Sequence, residues 1–335
     1  MKPDPCRVPV HRRTLMLRAV ASAVAAAAAP LIRAQTRSDR HRILCGFPPG
    51  GPVDIICRKV AERMTARSGA SVVVENKVGA SGRLAVTELI KAPADGTTML
   101  VTAASIVTLY PHLYKQLAYD VFADLAPVST VASTAFALAV GSTVPDSVQS
   151  VPDLVRWSSA RGPVGCGNSG MGSMQHFLAS IVARETGLQI THVPYRGGAA
   201  SMQAAAAGEV PAALGTESAA RALVQAGKLR VLATTGVSRS SIYPQAPTFS
   251  EHGWPALAQR EWFGAFLPGQ TPQSIVERTA ALMDSIMGEP EIRETWERQS
   301  LAVDNVSLAN FKTAIRREFE FWGPIIRASG FTPES

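Results

Sequence analysis

Short apolar runs alternate along the chain with longer segments in which apolar residues recur at every third or fourth position. The run 42–47 ends in a glycine-rich turn, and a segment with helical spacing over 53–64 follows it. The same order returns with a strand at 71–76 and a helix over 84–90, and a third strand is predicted at 98–102. Strands that alternate with helices predict a parallel sheet with right-handed crossovers.

A second set of alternating elements begins after Pro145 and predicts a separate sheet. Its helices and strands are expected at 151–160, 164–167, 173–186, 190–195, 199–207 and 212–215. The apolar stretches 135–140 and 262–267 lie on either side of this set. We interpret them as paired strands that cross between the two sheets and form a hinge. Over 272–330 the spacing predicts helices that pack back on the first domain.

Residues 1–34 have the features of a cleaved export signal. Basic residues come first, an apolar run over 19–32 follows, and the small residue Ala34 closes the segment. About 14 uncharged residues are too few for the ~20 that a membrane-spanning helix needs. Arg12 and Arg13 resemble a twin-arginine signal, so the Sec and the twin-arginine routes both stay open. The sequence predicts a periplasmic protein that does not span the membrane after processing.

The formal net charge of +7 is concentrated in this signal. Six of the 33 Lys and Arg residues and one of the 26 Asp and Glu residues lie within 1–34, which leaves the rest of the chain at +2. No basic stripe interleaved with aromatic residues remains, so binding to nucleic acid is not expected.

Neither the cysteines nor the histidines have the spacing of a metal site. We interpret Cys45, Cys57 and Cys166 as core thiols, although a disulfide between Cys45 and Cys57 stays open in an oxidising compartment. The six histidines are scattered along the chain. No metal and no cofactor are predicted.

The most informative turn follows the first strand. Its residues are Phe47, Pro48, Pro49, Gly50 and Gly51, with Asp54 in the first turn of the helix that comes next. Glycines allow the backbone to approach a ligand, and the free amides of a helix N-terminus favour an anion. No Lys-Ser or Lys-Thr follows the last glycine, so the turn is not a phosphate-binding P-loop. An ordinary strand-to-helix turn, in which Asp54 accepts from first-turn amides, is the alternative interpretation.

A second turn of the same kind lies between a strand and a helix of the second set. It offers Ser169, Gly170, Gly172 and Ser173. Ligands of open α/β sheets bind outside the carboxyl ends of the strands, so the two turns can grip one carboxylate from two domains.

A serine hydrolase is the competing interpretation of this turn. However, Met171 stands where the second glycine of a nucleophile elbow at Ser169 is required. His176 comes only three residues after Ser173 on the same helix, where packing or capping is the more usual role. No catalytic residue is therefore predicted.

A third candidate segment, Tyr195-Arg196-Gly197, ends a predicted strand. The Arg196 guanidinium suits an acidic ligand, and Tyr195 suits an aromatic wall. A solvated arginine is an equally acceptable interpretation of Arg196.

Six segments, taken in this order, resemble the Bug family of periplasmic substrate-binding receptors, which are associated with tripartite tricarboxylate transporters. They are FPPGGPVD at 47–54, VVVENK at 72–77, DGT at 95–97, PHLYK at 111–115, VPYRG at 193–197 and GKLR at 227–230. The resemblance covers about 42–330. It implies a type II periplasmic-binding-protein fold with two α/β domains, 41–138 plus 262–335 and 139–261. Crossover hinge strands would join the domains, which would close on a ligand in the cleft between them.

The resemblance also implies the two walls of the cleft. One wall would combine the turn 47–54 with the strand end that carries Thr102, Ala104 and Ser105, and would hold a carboxylate through amides, hydroxyls and bridging waters. The opposite wall would combine 169–173 with 195–197.

One departure from the family concerns 210–217, where acidic residues are frequent. Pro211 and Gly215 stand here at positions where aspartates are expected. Thr216 or Glu217 would then read the far end of the ligand. If Glu217 faces the cleft, it would favour a ligand that carries an amino or hydroxyl group.

These features predict a receptor and not an enzyme. It would capture a small carboxylate for a tripartite tricarboxylate-type transporter with integral-membrane subunits. An orphan periplasmic sensor subunit for a membrane signalling protein would have the same fold and ligand chemistry. An exported serine hydrolase is the alternative of another class. By analogy with receptors that open, close and move between partners, a monomer is expected.

Overall fold

A computed structural model describes residues 40–331, in which ten strands form two five-stranded sheets. The first sheet has the strands β1 (Arg40–Cys45), β2 (Ser71–Asn76), β3 (Thr98–Ala103), β4 (Leu125–Thr134) and β10 (Glu261–Pro268). Their order is β2-β1-β3-β10-β4. Strand β1 runs parallel to β2 and β3, whereas β10 runs antiparallel to β3 and β4.

The second sheet repeats this arrangement. Its strands are β5 (Phe136–Val140), β6 (Val164–Asn168), β7 (Ile190–Pro194), β8 (Ala212–Thr216) and β9 (Arg230–Thr234). Their order is β7-β6-β8-β5-β9. Strand β6 runs parallel to β7 and β8, and β5 runs antiparallel to β8 and β9. The predicted α/β fold with two sheets is confirmed, except that each sheet also contains antiparallel pairs.

Helices connect the strands, and most of them lie where the apolar spacing predicts them, whereas the helices at 104–108, 110–113 and 217–225 were not predicted. Their bounds are α1 (Pro52–Ser68), α2 (Arg83–Ile90), α3 (Ala104–Thr108), α4 (Tyr110–Leu113), α5 (Val151–Ser159), α6 (Met174–Thr186), α7 (Gly198–Ala207), α8 (Glu217–Gln225), α9 (Gln273–Met287), α10 (Pro290–Arg298) and α11 (Leu308–Ala328). The predicted helical region at the end of the chain is therefore three helices.

Helices cover both faces of the first sheet. Ile43 and Val101 point to one face and pack with α1, α9 and α10, while Leu44 and Leu100 point to the other and pack with α2 and α11. This alternation follows from the two-residue period of a strand. Since both faces are covered, the neighbouring strands β3 and β10 are buried at every position except Glu261.

The topology brings one end of several strands together at a single edge of each sheet. In the first sheet, the carboxyl ends of β1 and β3 meet the amino end of the antiparallel strand β10. In the second sheet, the carboxyl ends of β6, β7 and β8 meet the amino end of β5. The turns with candidate chemistry follow these strand ends, which is where ligands of open α/β sheets bind.

The interpretation of 135–140 and 262–267 as strands paired with each other is wrong. Strand β5 pairs with β8 and β9, and strand β10 pairs with β3 and β4, so the two belong to different sheets. The chain passes from the first sheet to the second at Ala135, between β4 and β5, and returns before Glu261. Two apolar stretches of similar length cannot reveal their partners, because pairing depends on residues far apart in sequence.

Within 40–331, none of the helices combines the length and the apolar character needed to cross a membrane. The export signal predicted at 1–34 lies outside the described residues.

Candidate functional site

Asp54 fastens the turn after β1. Its carboxylate is buried, with 1% of the residue exposed, and accepts hydrogen bonds from the Gly50 amide at 2.9 Å, Arg58 Nε at 2.8 Å and Asn76 Nδ2 at 2.8 Å. Burial opposes ionisation, but these hydrogen bonds outweigh it and lower the pKa of Asp54. Asp54 thus stabilises the conformation of the turn, and both of its carboxylate oxygens already accept hydrogen bonds from groups of the protein.

The outer part of the same turn is open. Pro48, Pro49 and Gly50 are exposed, and Phe47 is half-buried against Gly82. Gly50 has a φ of +80°, which glycine adopts without strain. Helix α1 begins at Pro52, which has no amide hydrogen, so the next first-turn amide belongs to Val53. The Gly50 amide donates to Asp54 and the Gly51 amide donates to the Pro48 carbonyl at 3.3 Å, so neither glycine amide is free. The backbone donors left for an anion at this helix N-terminus are the amides of Val53 and Asp54, which have no hydrogen-bond partner within 40–331.

A second turn on this edge, 79–82, was not among the predicted site residues. Gly79, Ala80, Ser81 and Gly82 all have positive φ values, of 146°, 46°, 55° and 91°. A side chain at Gly46 would put its Cβ 2.7 Å from the Gly82 carbonyl oxygen, so the two turns pack backbone against backbone. Two residues other than glycine in the left-handed region mark strain of the kind found near functional sites. The sequence signal was the glycine-flanked turn after the second strand.

The three residues predicted at the end of β3, Thr102, Ala104 and Ser105, differ in burial and in hydrogen bonding. Thr102 and Ala104 are completely buried, and the Thr102 hydroxyl has no hydrogen-bond partner within 40–331. The Ser105 amide donates to the Glu261 carboxylate at 3.0 Å. Ser105 is thus hydrogen-bonded to an acid of the protein itself, Glu261, which was not among the predicted site residues. Its proximity to Ser105 depends on the pairing of β10 with β3, which the sequence pattern does not reveal.

The turn after β6 is held by hydrogen bonds within itself. The Gly170 amide donates to Asn168 Oδ1 at 3.0 Å, and the Gly172 amide donates to His176 Nδ1 at 3.2 Å. The Ser173 hydroxyl donates to the Gly170 carbonyl at 2.6 Å and accepts from the His176 amide at 3.2 Å. Ser173 is therefore the N-cap of α6. The half-buried Ser169 hydroxyl has no partner within 40–331 and is the polar group of this turn that can meet a ligand.

This geometry does not activate a serine. The His176 ring accepts from Gly172 and does not contact the Ser173 hydroxyl. Burial, helped by His192, lowers the pKa of His176 to about 4, which makes the imidazole a weak base. Ser173 consequently shapes the backbone of the turn.

Replacing Ser173 by alanine should lower the free energy of unfolding by about 1 kcal/mol, because the α6 N-cap is lost. Ser150→Ala is a matched control, since Ser150 caps α5 and accepts from the Asp153 amide at 3.3 Å. Urea unfolding should show similar losses, whereas only Ser173→Ala should weaken ligand binding. Ester hydrolysis by the wild type that disappears in Ser173→Ala would contradict this role.

The residues after β7 differ in accessibility. The Tyr195 ring lies against Gly167, and burial together with the Glu209 carboxylate raises the pKa of its hydroxyl. Arg196 is exposed and forms no ion pair within the described residues. Gly197 has a φ of +101° and precedes α7. Arg196 is thus the cation on this edge that remains available to an acidic ligand.

Thr216, the last residue of β8, and Glu217, the first residue of α8, form hydrogen bonds to residues that follow them in the chain. Thr216 Oγ1 lies 3.1 Å from Ser218 Oγ, and Glu217 Oε2 accepts from Ser240 at 2.7 Å. Glu217 is 6% exposed, and burial raises its pKa. It lines a cavity of about 260 Å³ with Ser133 and Arg260, next to the point where the chain changes sheets. Thr216 and Glu217 are thus already engaged by neighbouring residues, and their role at the far end of the ligand stays a prediction.

Within 40–331, no cluster of three or more His, Cys, Asp or Glu residues could hold a metal ion. Cys45, Cys57 and Cys166 are buried free thiols. The Cys45 thiol donates to the Phe47 carbonyl at 3.6 Å. The neighbouring Cys57 thiol lowers the pKa of Cys45, while burial raises that of Cys57.

The chain is similar to known proteins over most of its length. Residues 56–331 match the tripartite tricarboxylate transporter family receptor. The chain is 31% identical to the Cupriavidus necator UPF0065 protein in the gbd 5′ region, over 85% of this chain and 88% of that protein. It is 27% identical to protein BugT of Bordetella pertussis (strain Tohama I), over 95% of this chain and 98% of BugT.

The fold also matches solved structures. An R. palustris protein solved with adipate is 28% identical and superposes with a TM-score of 0.75, over 88% of this chain and 99% of that one. The resemblance inferred from the six sequence segments is thus confirmed. The chain belongs to the tripartite tricarboxylate transporter receptor family, a family of solute-binding receptors and not of enzymes.

Proposed function

We propose that this chain is a periplasmic receptor that captures a small carboxylate metabolite and delivers it to the membrane subunits of a tripartite tricarboxylate-type transporter. It would be exported by the signal at 1–34, through the Sec or the twin-arginine route, and would act as a monomer. Its two domains would be those predicted, 41–138 plus 262–335 and 139–261, with the first boundary moved to Ala135 and the second to Arg260, because β5 belongs to the second sheet and Glu261 begins β10 of the first. Motion around Ala135 would close the cleft.

This proposal is supported most by the chemical groups at two places, the turn after β1 in the first sheet and the turns after β6 and β7 in the second. The turn after β1 leads into a helix whose Val53 and Asp54 amides have no hydrogen-bond partner within 40–331, and the turn after β6 has the unpartnered Ser169 hydroxyl. Arg196, on the second edge, has no protein anion to neutralise it within 40–331. Amides, a hydroxyl and a guanidinium are the groups that bind carboxylates in proteins. The related R. palustris protein was solved with adipate, a dicarboxylate, which agrees with this choice.

Thermal unfolding with a panel of mono-, di- and tricarboxylates, amino acids and aromatic acids tests the proposal. A ligand that binds only the folded state adds about 2.7 kcal/mol at a hundredfold excess over its dissociation constant. At least one acid should therefore raise the melting temperature clearly. If no acid in the panel does so, capture of a small carboxylate is the wrong function.

Arg196→Gln should weaken binding of that acid by about tenfold or more, because a charge-assisted hydrogen bond to the carboxylate is lost. Arg278→Gln is the control, because Arg278 is also exposed and without an ion pair within 40–331 but lies on α9. Calorimetric titration of both variants gives the comparison. Equal affinities of the two variants would mean that Arg196 is merely solvated.

A further inference from the structure

The Glu261 carboxylate lies at the edge of the first sheet where β3 ends and β10 begins. Glu261 is the first residue of β10, and the register of that strand places Phe263 opposite Ala103 of β3. Glu261 consequently lies level with Ser105, just beyond the end of β3, and accepts the Ser105 amide hydrogen at 3.0 Å. The amide that a ligand carboxylate would use at this strand end is therefore occupied by an acid of the protein itself.

No cation of the described residues neutralises Glu261. Its neighbour Arg260 pairs with Asp304 at 3.0 Å, and no Lys, Arg or His within 40–331 forms an ion pair with Glu261. The other ionisable groups close to it are the Tyr110 phenol and the Glu318 carboxylate, and neither supplies positive charge. Burial raises the pKa of Glu261, while its hydrogen bonds from Ser105 oppose that rise. A partly buried carboxylate without a counter-ion is costly unless another group completes its hydrogen bonding.

The second carboxylate oxygen of Glu261, Oε2, is available to accept a hydrogen bond from a ligand. Oε1 accepts from Ser105, whereas Oε2 has no hydrogen-bond partner within 40–331 and is not among the fully buried unpartnered atoms. It is therefore reachable by solvent or by a ligand. An ammonium group would satisfy this oxygen and supply the missing charge, whereas a second ligand carboxylate at this place would be repelled.

We infer that Glu261 selects an acid that also carries an ammonium group, so that the ligand class is an amino acid and not a plain dicarboxylate. This inference rests on the proposed receptor function. The ligand carboxylate would bind the turn after β1 and Arg196, and its ammonium group would bind Glu261. Glu261 then provides the discrimination that the sequence had suggested for Glu217, whose carboxylate instead bonds to Ser240.

Calorimetric titrations with matched pairs of acids test this role, because the members of each pair differ in the ammonium group. Suitable pairs are aspartate with succinate, glutamate with glutarate, and β-alanine with propionate. The wild type should bind the amino member of at least one pair about tenfold tighter or more than its partner. Glu261→Gln keeps the shape and an acceptor oxygen but removes the charge, and it should reduce that preference to about twofold or less.

Glu318→Gln is the control, because Glu318 is also a half-buried carboxylate but accepts from Trp262 Nε1 at 2.7 Å. It should leave the ratio of affinities unchanged. A wild type that binds the plain acids as tightly as the amino acids, or a preference that survives in Glu261→Gln, would overturn the inference and leave the receptor function intact. If Glu261→Gln does not fold, the affinities of the wild type for the amino acids and the plain acids still test the inference. If no acid of either kind binds, the receptor proposal itself fails and the inference fails with it.

Discussion

Replacing Asp54 by asparagine should lower the free energy of unfolding by about 2–4 kcal/mol and abolish tight ligand binding. Asparagine has nearly the same shape but replaces one acceptor oxygen by an NH₂ group. Asp54 serves three donors, on Gly50, Arg58 and Asn76. At least one of these donors would then face another donor, and the turn after β1 would lose the contact that fixes Gly50.

Urea unfolding at pH 7 measures the effect on stability, with Asp146→Asn as the control. Asp146 has a fully exposed side chain and pairs only with Arg230 on the surface, so its substitution should change stability by about 0.5 kcal/mol or less. A similar loss in both variants would mean that Asp54 does not organise the turn.

The pH dependence of the Asp54 effect has a definite sign. Folding lowers the pKa of Asp54 below its ordinary value of 3.8, so the folded state favours the ionised carboxylate. Its contribution is complete well above pH 3.8 and is lost as the pH falls through the lower folded-state value. The difference between wild type and Asp54→Asn should accordingly be constant near neutral pH and shrink only in strong acid.

The local parts of this molecule could be predicted from the sequence, because they depend on short-range patterns. The alternation of apolar runs with helical spacing located most strands and helices of both sheets, although not β4 and β9, and the glycines at 50–51 and 170–172 located the turns. Such features depend on the periods of 2 and 3.6 residues and on the conformational freedom of glycine.

The parts that could not be predicted depend on long-range pairing. Strand β10 pairs with β3 across more than 150 residues, and this pairing alone brings Glu261 to Ser105. The engagement of Glu217 with Ser240, 23 residues later, likewise depends on how the loop after β9 folds back. In both cases the residue type was visible, but its partner was not. The same reason explains why the two apolar stretches at 135–140 and 262–267 were wrongly paired.

Gly46→Ala should destabilise the protein by about 1–3 kcal/mol and weaken ligand binding, because it separates two turns that touch through their backbones. The new Cβ would lie 2.7 Å from the Gly82 carbonyl oxygen and 2.8 Å from its Cα, and neither atom belongs to a flexible side chain. The turn 79–82, whose residues all have positive φ, can yield only by changing its own conformation. Gly288→Ala is the control, because its Cβ would meet the Asp284 carbonyl oxygen at an ordinary 3.5 Å. Urea unfolding and ligand titration of both variants should show losses in Gly46→Ala alone. Wild-type stability and affinity in Gly46→Ala would mean that the first edge tolerates separation of its turns and that ligand binding does not require their contact.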